Sequence, residues 1–261
     1  EIKGIKYSEM PLQIIDTGYG LERFCWAAAG TPTIYEAIYP ESVEWLKNMA
    51  GFSSERFNMS QGELDSLLGE MSRLFGIMNI EAGSDGDRMK EVFLARLAER
   101  GHSIDDALFV SITDPLSRIY AIPDHMHALA NMIGDGLVPS NAKAGYLARM
   151  IARRVLRMRD ELELDISLSD LAMHHLEVNY SAERMKQTQE GLVTILKGEE
   201  ERYDEMIRKG NQVVKTAIKE IPQQAVDLPD EILFTINDSH GIAPDLVMNI
   251  ANDLGWKNLT L

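Results

Sequence analysis

The sequence contains a single cysteine, Cys25, among its 261 residues. One cysteine excludes an internal disulfide, so the fold must depend on an apolar core, and 45% of the residues are hydrophobic. Cys25 lies among apolar residues at helical spacing, which favours a small core side chain over a reactive thiol. Long apolar runs are also lacking: none approaches the roughly 18 residues that cross a bilayer, and no signal peptide is recognisable. We therefore expect a soluble, cytoplasmic protein without a membrane partner.

Basic residues are scarce as well, with 26 lysines and arginines against 41 acidic residues and a formal net charge of −15. The six histidines show no spacing that predicts a zinc site, so no metal ligand is assigned. This shortage of positive charge makes one segment informative. Between residues 143 and 159 there is no acidic side chain, and the basic ones are Lys143, Arg149, Arg153, Arg154, Arg157 and Arg159.

Three of these arginines, which we call the arginine row, recur at four-residue spacing and share one face of a helix: Arg149, Arg153 and Arg157. The apolar residues between them form a packing stripe: Leu147, Ile151, Val155 and Met158. Like charges four residues apart destabilise an isolated helix by a few tenths of a kcal/mol per pair. The row therefore indicates either a polyanionic partner or pairing with acidic residues elsewhere in this acidic chain, and charge alone leaves both open.

Residues 14–23 read Ile-Ile-Asp-Thr-Gly-Tyr-Gly-Leu-Glu-Arg, which predicts a strand, a glycine turn and a helix. Gly18 and Gly20 lack a Cβ atom, so a base or a phosphate can approach the backbone closely. Arg23 offers a permanent fork of donors to a phosphate, and Asp16 offers a negative charge to an ammonium group. The alternative is a turn whose glycines are only geometric. A dinucleotide-binding fold is not favoured, because Arg23 stands where its third glycine would be.

This motif resembles the third signature motif of the class II aminoacyl-tRNA synthetases, and from Asp16 to Arg23 it is similar to the archaeal alanyl-tRNA synthetase family. The resemblance implies a catalytic site in which Arg23 binds the γ-phosphate of ATP and Asp16 pairs with the ammonium group of alanine. Gly18 and Gly20 would form the floor of the adenine site. The implied enzyme activates alanine with ATP and Mg²⁺ and transfers it to the 3′ end of alanine tRNA. Zinc-binding and editing modules, and any homodimer contact, are expected outside this chain.

Two further segments, 135–147 and 233–246, resemble parts of the tRNA-recognition domain of that family. The resemblance implies that Asn141 and Asp238 read the G·U pair of the acceptor stem. It also implies that the arginine row holds the phosphates of that stem. From the residues alone, Asn141 could instead cap the helix that begins near Lys143, and Asp238 could end a helix in an Asx turn.

The predicted fold class is mainly α with a small sheet contribution. A β-ribbon at residues 1–7 and the strand and helix of the glycine motif would come from the antiparallel catalytic sheet of class II synthetases, followed by a helical tRNA-recognition domain. The predicted domains are residues 1–40 and 41–261. Because the chain begins inside this sheet, we expect a fragment of a longer protein, with the first two class II motifs upstream.

Apolar spacing predicts several helices after residue 40. Their expected ranges are 42–50, 61–75, 87–100, a helix from 104 that Ser103 caps, and a long helix or helical pair at 181–209. The acidic run at 199–201 is predicted to be a solvated face. One departure from the family is His127, which stands where an arginine is expected.

Two alternative functions remain open at this point. One is a non-catalytic helical module that binds RNA or protein, in which Arg23 is only a surface residue. The other is a class II synthetase for a different amino acid. DNA is not a predicted partner in any of these readings.

Overall fold

The computed structural model describes residues 12, 17–81, 86–219, 235–236, 247 and 250–251. Most of the described residues are helical. The α-helices are α1 Leu21–Ala29, α2 Ile34–Ile38, α3 Pro40–Met49, α4 Gln61–Glu81, α5 Gly86–Glu99, α6 Asp106–Gly134, α7 Lys143–Glu161, α8 Leu168–Asn179 and α9 Ala182–Lys219, with a 3-10 turn at Ser54–Phe57.

The predicted sheet is a correction. The described part of the chain contains helices and turns but no strand, so a fold class that includes a β-ribbon and a catalytic sheet is wrong for it. The alternation and β-branched runs that suggested strands are confined to residues 1–15, and within that range only Leu12, in a bend, is described. From Leu21 onward the apolar residues recur every three or four positions, and that period produces helices.

The chain divides into two compact units, residues 1–44 with 52–112 and residues 45–51 with 113–261. In the first unit, α4 packs against α5. Leucines at helical spacing on α4, such as Leu67 and Leu74, are almost completely buried. The rings of Phe75 and Phe93 join the two helices, with centroids 4.4 Å apart. The predicted domain boundary after residue 40 stays a prediction.

Helix α1 carries no buried residue in the described structure. The side chains of Leu21 and Phe24 are exposed by 77% and 59%, although both are apolar. Cys25 is exposed as well, so its prediction as a core residue is wrong. It follows that α1 presents its apolar side chains on the surface of the described unit.

The second unit is built on α9, which contacts both α8 and α7. Its core residues recur at spacings of three and four on each helix, as an amphipathic pattern requires. Deeply buried members include Ala148, Ala152, Val155 and Leu156 on α7, Leu168, Leu171 and Leu176 on α8, and Leu192 and Leu196 on α9. Helix α9 is continuous through Gly191 and Gly198, so the predicted element at 181–209 is one helix that extends to Lys219.

The start of α6 differs from the prediction. Helix α6 begins at Asp106, and the carboxylate of Asp105 accepts a hydrogen bond from the Leu108 N–H at 2.8 Å, so Asp105 caps the helix in place of Ser103. The same helix continues through Pro115 and Pro123.

Candidate functional site

The segment between α6 and α7 folds back over the first turn of α7. The Ser140 N–H donates to the carbonyl oxygen of Gly145 at 2.9 Å, and the Ser140 hydroxyl donates to the carbonyl oxygen of Ala142 at 2.9 Å. Gly145 is buried beneath this loop. A Cβ atom at Gly145 would lie 2.5 Å from the Val138 carbonyl oxygen and closer still to the Ser140 hydroxyl. Only glycine allows this close approach, so Gly145 is what permits the loop to pack here.

Asn141 lies at the exposed tip of this loop. Its side-chain oxygen accepts a hydrogen bond from the Nη1 of Arg149, two turns along α7. The N-cap position of α7 is Ala142, which makes no side-chain capping bond. The capping interpretation of Asn141 is therefore wrong, and its side chain is held by Arg149 instead.

Two members of the arginine row point toward an acidic residue on α9. The Nε and Nη2 of Arg149 contact the two carboxylate oxygens of Glu199 at 2.9 and 3.2 Å. The Nε of Arg153 contacts the same carboxylate at 3.3 Å, and the Nη1 of Arg202 contacts it at 3.4 Å. Glu199 is 0% exposed, whereas Arg202 is 61% exposed. The prediction that residues 199–201 form a solvated face is wrong for Glu199.

The burial of Glu199 has a simple cause in the helix period. Leu192, Leu196 and Tyr203 are buried on α9, and Glu199 falls on the same face at spacings of three and four from its neighbours. A buried carboxylate is costly unless it is paired, which the three guanidinium groups accomplish. Pairing with acidic neighbours, the second interpretation of the arginine row, therefore occurs for Arg149 and Arg153.

Arg157, the third member of the row, is partly buried on α7 and is engaged within the fold. Beyond the row, Arg159 contacts Glu200 and Asp160. Glu200 in turn accepts a hydrogen bond from the Leu168 N–H at 3.0 Å, at the start of α8. The basic segment of α7 thus joins α8 and α9 through acidic partners.

The described part of the glycine motif, residues 17–23, leads into the first turn of α1. Gly20 has a φ of 71° and stands immediately before α1, and its carbonyl oxygen accepts a hydrogen bond from the Arg23 N–H at 3.1 Å. A Cβ atom at Gly18 would meet nothing within 4 Å, so the backbone is open there. Arg23 is exposed. Asp16 lies outside the described residues, as does Asp238, so their predicted roles stay predictions.

His127, His175 and Tyr180 form a cluster that the sequence did not predict. The Nδ1 of His127 lies 3.3 Å from the Nε2 of His175, and the Tyr180 hydroxyl lies 3.5 Å from the same His127 atom. Burial, followed by the nearby His127 and His174, lowers the pKa of His175 to about 4. The residues are too distant in sequence for any local pattern to reveal the cluster. It explains how a histidine is accommodated where the resemblance expects an arginine.

Neither a metal cluster nor a membrane span occurs among the described residues. No group of three or more histidine, cysteine, aspartate or glutamate side chains is arranged there to hold a metal ion. Among the same residues, no helix is sufficiently long and apolar to cross a membrane.

The chain belongs to the class II aminoacyl-tRNA synthetases, because the family model for tRNA synthetases class II (A) matches residues 2–258. Curated relatives are more specific. The chain is 39% identical over 97% of its length to the alanine–tRNA ligase of Methanothrix thermoacetophila and 38% identical over 98% to that of Thermococcus kodakarensis. It spans 27% of the length of each of these relatives. The resemblance identified from the sequence motifs is therefore confirmed.

Proposed function

We propose that this chain is part of an alanine–tRNA ligase and supplies the surface that reads the acceptor stem of alanine tRNA. The observation that carries the proposal is Asn141, exposed on a loop that packs over Gly145 and held by Arg149. An exposed amide that is fixed in one orientation is suited to base-edge recognition, because little conformational entropy is lost on binding. The alanine–tRNA ligase relatives support the choice of RNA as the ligand.

The acceptor-stem site would consist of Asn141 and Asp238. The minor groove of an RNA helix is wide and shallow, so side chains reach base edges there. In a G·U wobble pair the guanine 2-amino group lacks its usual partner, and a carboxylate such as Asp238 can accept from it. Asn141 would contact the same pair from the loop before α7. Such contacts give about 1–3 kcal/mol of discrimination in the comparable case of DNA base pairs.

The arginine row supports phosphate binding even though part of it is paired. Arg149, Arg153 and Arg202 share the single carboxylate of Glu199, so the cluster keeps a formal charge of about two positive units. Arg157 adds a further guanidinium on the same face of α7. Phosphate contacts of this kind set the register of a nucleic acid without reading its sequence.

The glycine motif would form one wall of the ATP and alanine site in the whole protein. Arg23 would bind the γ-phosphate, Gly18 and Gly20 would allow the adenine to approach the backbone, and Asp16 would hold the alanine ammonium group. The openness at Gly18 and the exposure of Arg23 support this assignment. Class II chemistry implies Mg²⁺, which would neutralise phosphate charge, but the described residues offer no cluster that fits it and we assign it no step. We further assign residues 1–40 to the catalytic domain and 41–261 to the tRNA-recognition domain, in a cytoplasmic enzyme.

Binding of RNA minihelices tests the acceptor-stem assignment. The chain should bind a minihelix with a G·U pair more tightly than one with G·C at the same position. Asn141→Ala and Asp238→Ala should each reduce that preference by about 1–3 kcal/mol. Gln187→Ala, at an exposed amide of α9, is the matched control and should leave the preference unchanged. Equal affinity of the unmodified chain for both minihelices would contradict the proposal and favour a helical module without base recognition.

A further inference from the structure

We infer that Glu199 is a positioning residue that acts through Arg149 to fix the polarity of the Asn141 amide, so that its NH₂ group is the group offered to the RNA. The inference rests on the proposed acceptor-stem function and makes it more specific. It assigns a role in base recognition to a buried acidic residue on a different helix from the loop. It also identifies the chemical class of the atom that Asn141 contacts, which must be a hydrogen-bond acceptor.

The geometry begins with a fork between Arg149 and Glu199. The Nε and Nη2 of Arg149 meet the two carboxylate oxygens at 2.9 and 3.2 Å, so the plane of the guanidinium is fixed by two hydrogen bonds. Burial reinforces this fixation, since Glu199 is 0% and Arg149 only 15% exposed. The remaining nitrogen, Nη1, is thereby directed toward the loop, where it donates to the side-chain oxygen of Asn141.

The polarity of Asn141 follows from the chemistry of its partner. A guanidinium has five N–H donors and no acceptor, so the atom of Asn141 that faces Arg149 must be the carbonyl oxygen. The amide NH₂ group then makes no hydrogen bond to another described residue and lies at the exposed tip of the loop. In the RNA minor groove guanine N3 and the ribose 2′-oxygen are acceptors in G·U and G·C alike, whereas the pyrimidine O2 changes position in the wobble pair, so uracil O2 is the acceptor whose contact would distinguish the two. Recognition of the guanine 2-amino donor is left to an acceptor such as Asp238.

The first experiment reverses the polarity without removing the contact to Arg149. Asn141→Asp keeps the shape of the side chain and its bond to Arg149, but replaces the NH₂ donor by an acceptor. We expect this variant to lower the ratio of G·U to G·C affinity by about tenfold, as Asn141→Ala should. Its thermal midpoint should be no lower than that of the unmodified chain. A G·U preference retained by Asn141→Asp would overturn the inference.

A second measurement replaces guanine by inosine, which removes the 2-amino donor and leaves the acceptors in place. If Asn141 contacts an acceptor, the penalties of inosine and of Asn141→Ala should add in a double-perturbation cycle. If Asn141 accepted from the 2-amino group instead, the two penalties would overlap, and the inference would be wrong.

The role of Glu199 is tested by Glu199→Gln, with Arg149→Met as a second variant that breaks the same chain of contacts. Both should lower the ratio of G·U to G·C affinity by about tenfold. A purely structural role would weaken both complexes equally and leave the ratio unchanged, which would overturn the inference. Lys209→Gln is the matched control, because Lys209 is an exposed cation of α9 that contacts Glu205 and makes no described contact with Glu199 or Asn141. Its affinity ratio should stay the same.

Circular dichroism of each variant shows whether the helices remain folded. If Glu199→Gln loses helix content, Arg149→Met and Asn141→Asp decide the question. Failure of the proposed function is distinguishable from failure of this inference. In the first case the unmodified chain shows no G·U preference, whereas in the second it shows one that Asn141→Asp or Arg149→Met retains.

Discussion

Replacing Gly145 by alanine should displace the loop that carries Asn141, although alanine is the better helix former. The added Cβ atom would lie 2.5 Å from the carbonyl oxygen of Val138 and even closer to the Ser140 hydroxyl. The hydroxyl can rotate away only by losing its hydrogen bond to Ala142. The Val138 carbonyl belongs to the backbone, so it can move only if the whole loop moves.

The expected magnitude combines two opposing terms. Overpacking of this kind costs about 1–3 kcal/mol. Replacing glycine by alanine within a helix stabilises the helix by about 0.5–1 kcal/mol, which offsets part of that cost. We therefore expect Gly145→Ala to lower the free energy of unfolding by about 1 kcal/mol, and by no more than about 2.5 kcal/mol.

Urea unfolding followed by far-ultraviolet circular dichroism measures this change, and minihelix binding measures the position of Asn141. Gly191→Ala on α9 is the matched control, because a Cβ atom there meets nothing within 4 Å. That variant should gain about 0.5–1 kcal/mol and bind RNA normally. If Gly145→Ala proves as stable as Gly191→Ala and binds a G·U minihelix like the unmodified chain, the packing argument for the loop is refuted.

Three further predictions concern strain, acidity and activity. Lys143 begins α7 with a φ of 54°, a conformation that costs a residue with a Cβ atom about 1–2 kcal/mol. Lys143→Gly should therefore raise the urea midpoint. Lys143→Ala is the control, because alanine keeps the strain and should not raise the midpoint. The pKa of His175 is lowered to about 4 from 6.5 by burial and by His127 and His174. Above pH 6.5 the side chain is neutral in both the folded and the unfolded chain, so its contribution to the free energy of unfolding is fully present. This contribution is lost as the pH falls from 6.5 toward 4, and the loss is about 3 kcal/mol. Over the same pH range, urea unfolding of His175→Leu should show a smaller decrease in the free energy of unfolding than the unmodified chain. The 261-residue chain should not catalyse alanine-dependent ATP–pyrophosphate exchange, because it spans 27% of the length of its alanine–tRNA ligase relatives, and measurable exchange would contradict this.

Helices were predictable where the apolar period is regular. The ranges expected for α3 and α5 lie within two residues of those observed, and α4 begins where expected but continues six residues further, because apolar residues recur in these segments at spacings of three and four. The prediction of α9 ends ten residues too early, although Val214, Ala217 and Ile218 continue the apolar spacing beyond residue 209 and Val214 is buried. The cap of α6 was assigned to Ser103 because serine is a common cap, whereas Asp105 lies one residue before the helix and reaches the Leu108 N–H.

The site was predictable only in part, for a different reason. The loop of Asn141 could be identified because its residues are contiguous in sequence. The acidic run 199–201 predicts a solvated face, but the helical phase of Glu199 relative to Leu196 and Tyr203 places Glu199 in the core. The partner of Arg149 could not be predicted at all, because Glu199 is 50 residues away in the chain.

The two interpretations of the arginine row, an external polyanion and internal acidic partners, need not exclude each other. A row of guanidinium groups with no partner would repel itself and leave each side chain mobile. A carboxylate for every arginine would cancel the charge that attracts phosphate. One buried carboxylate shared by Arg149, Arg153 and Arg202 fixes the orientation of Arg149 and still leaves an excess of positive charge among these four side chains. If this acidic chain reads RNA as proposed, such a shared buried acid would reconcile a rigid base-reading side chain with attraction for the backbone of the ligand.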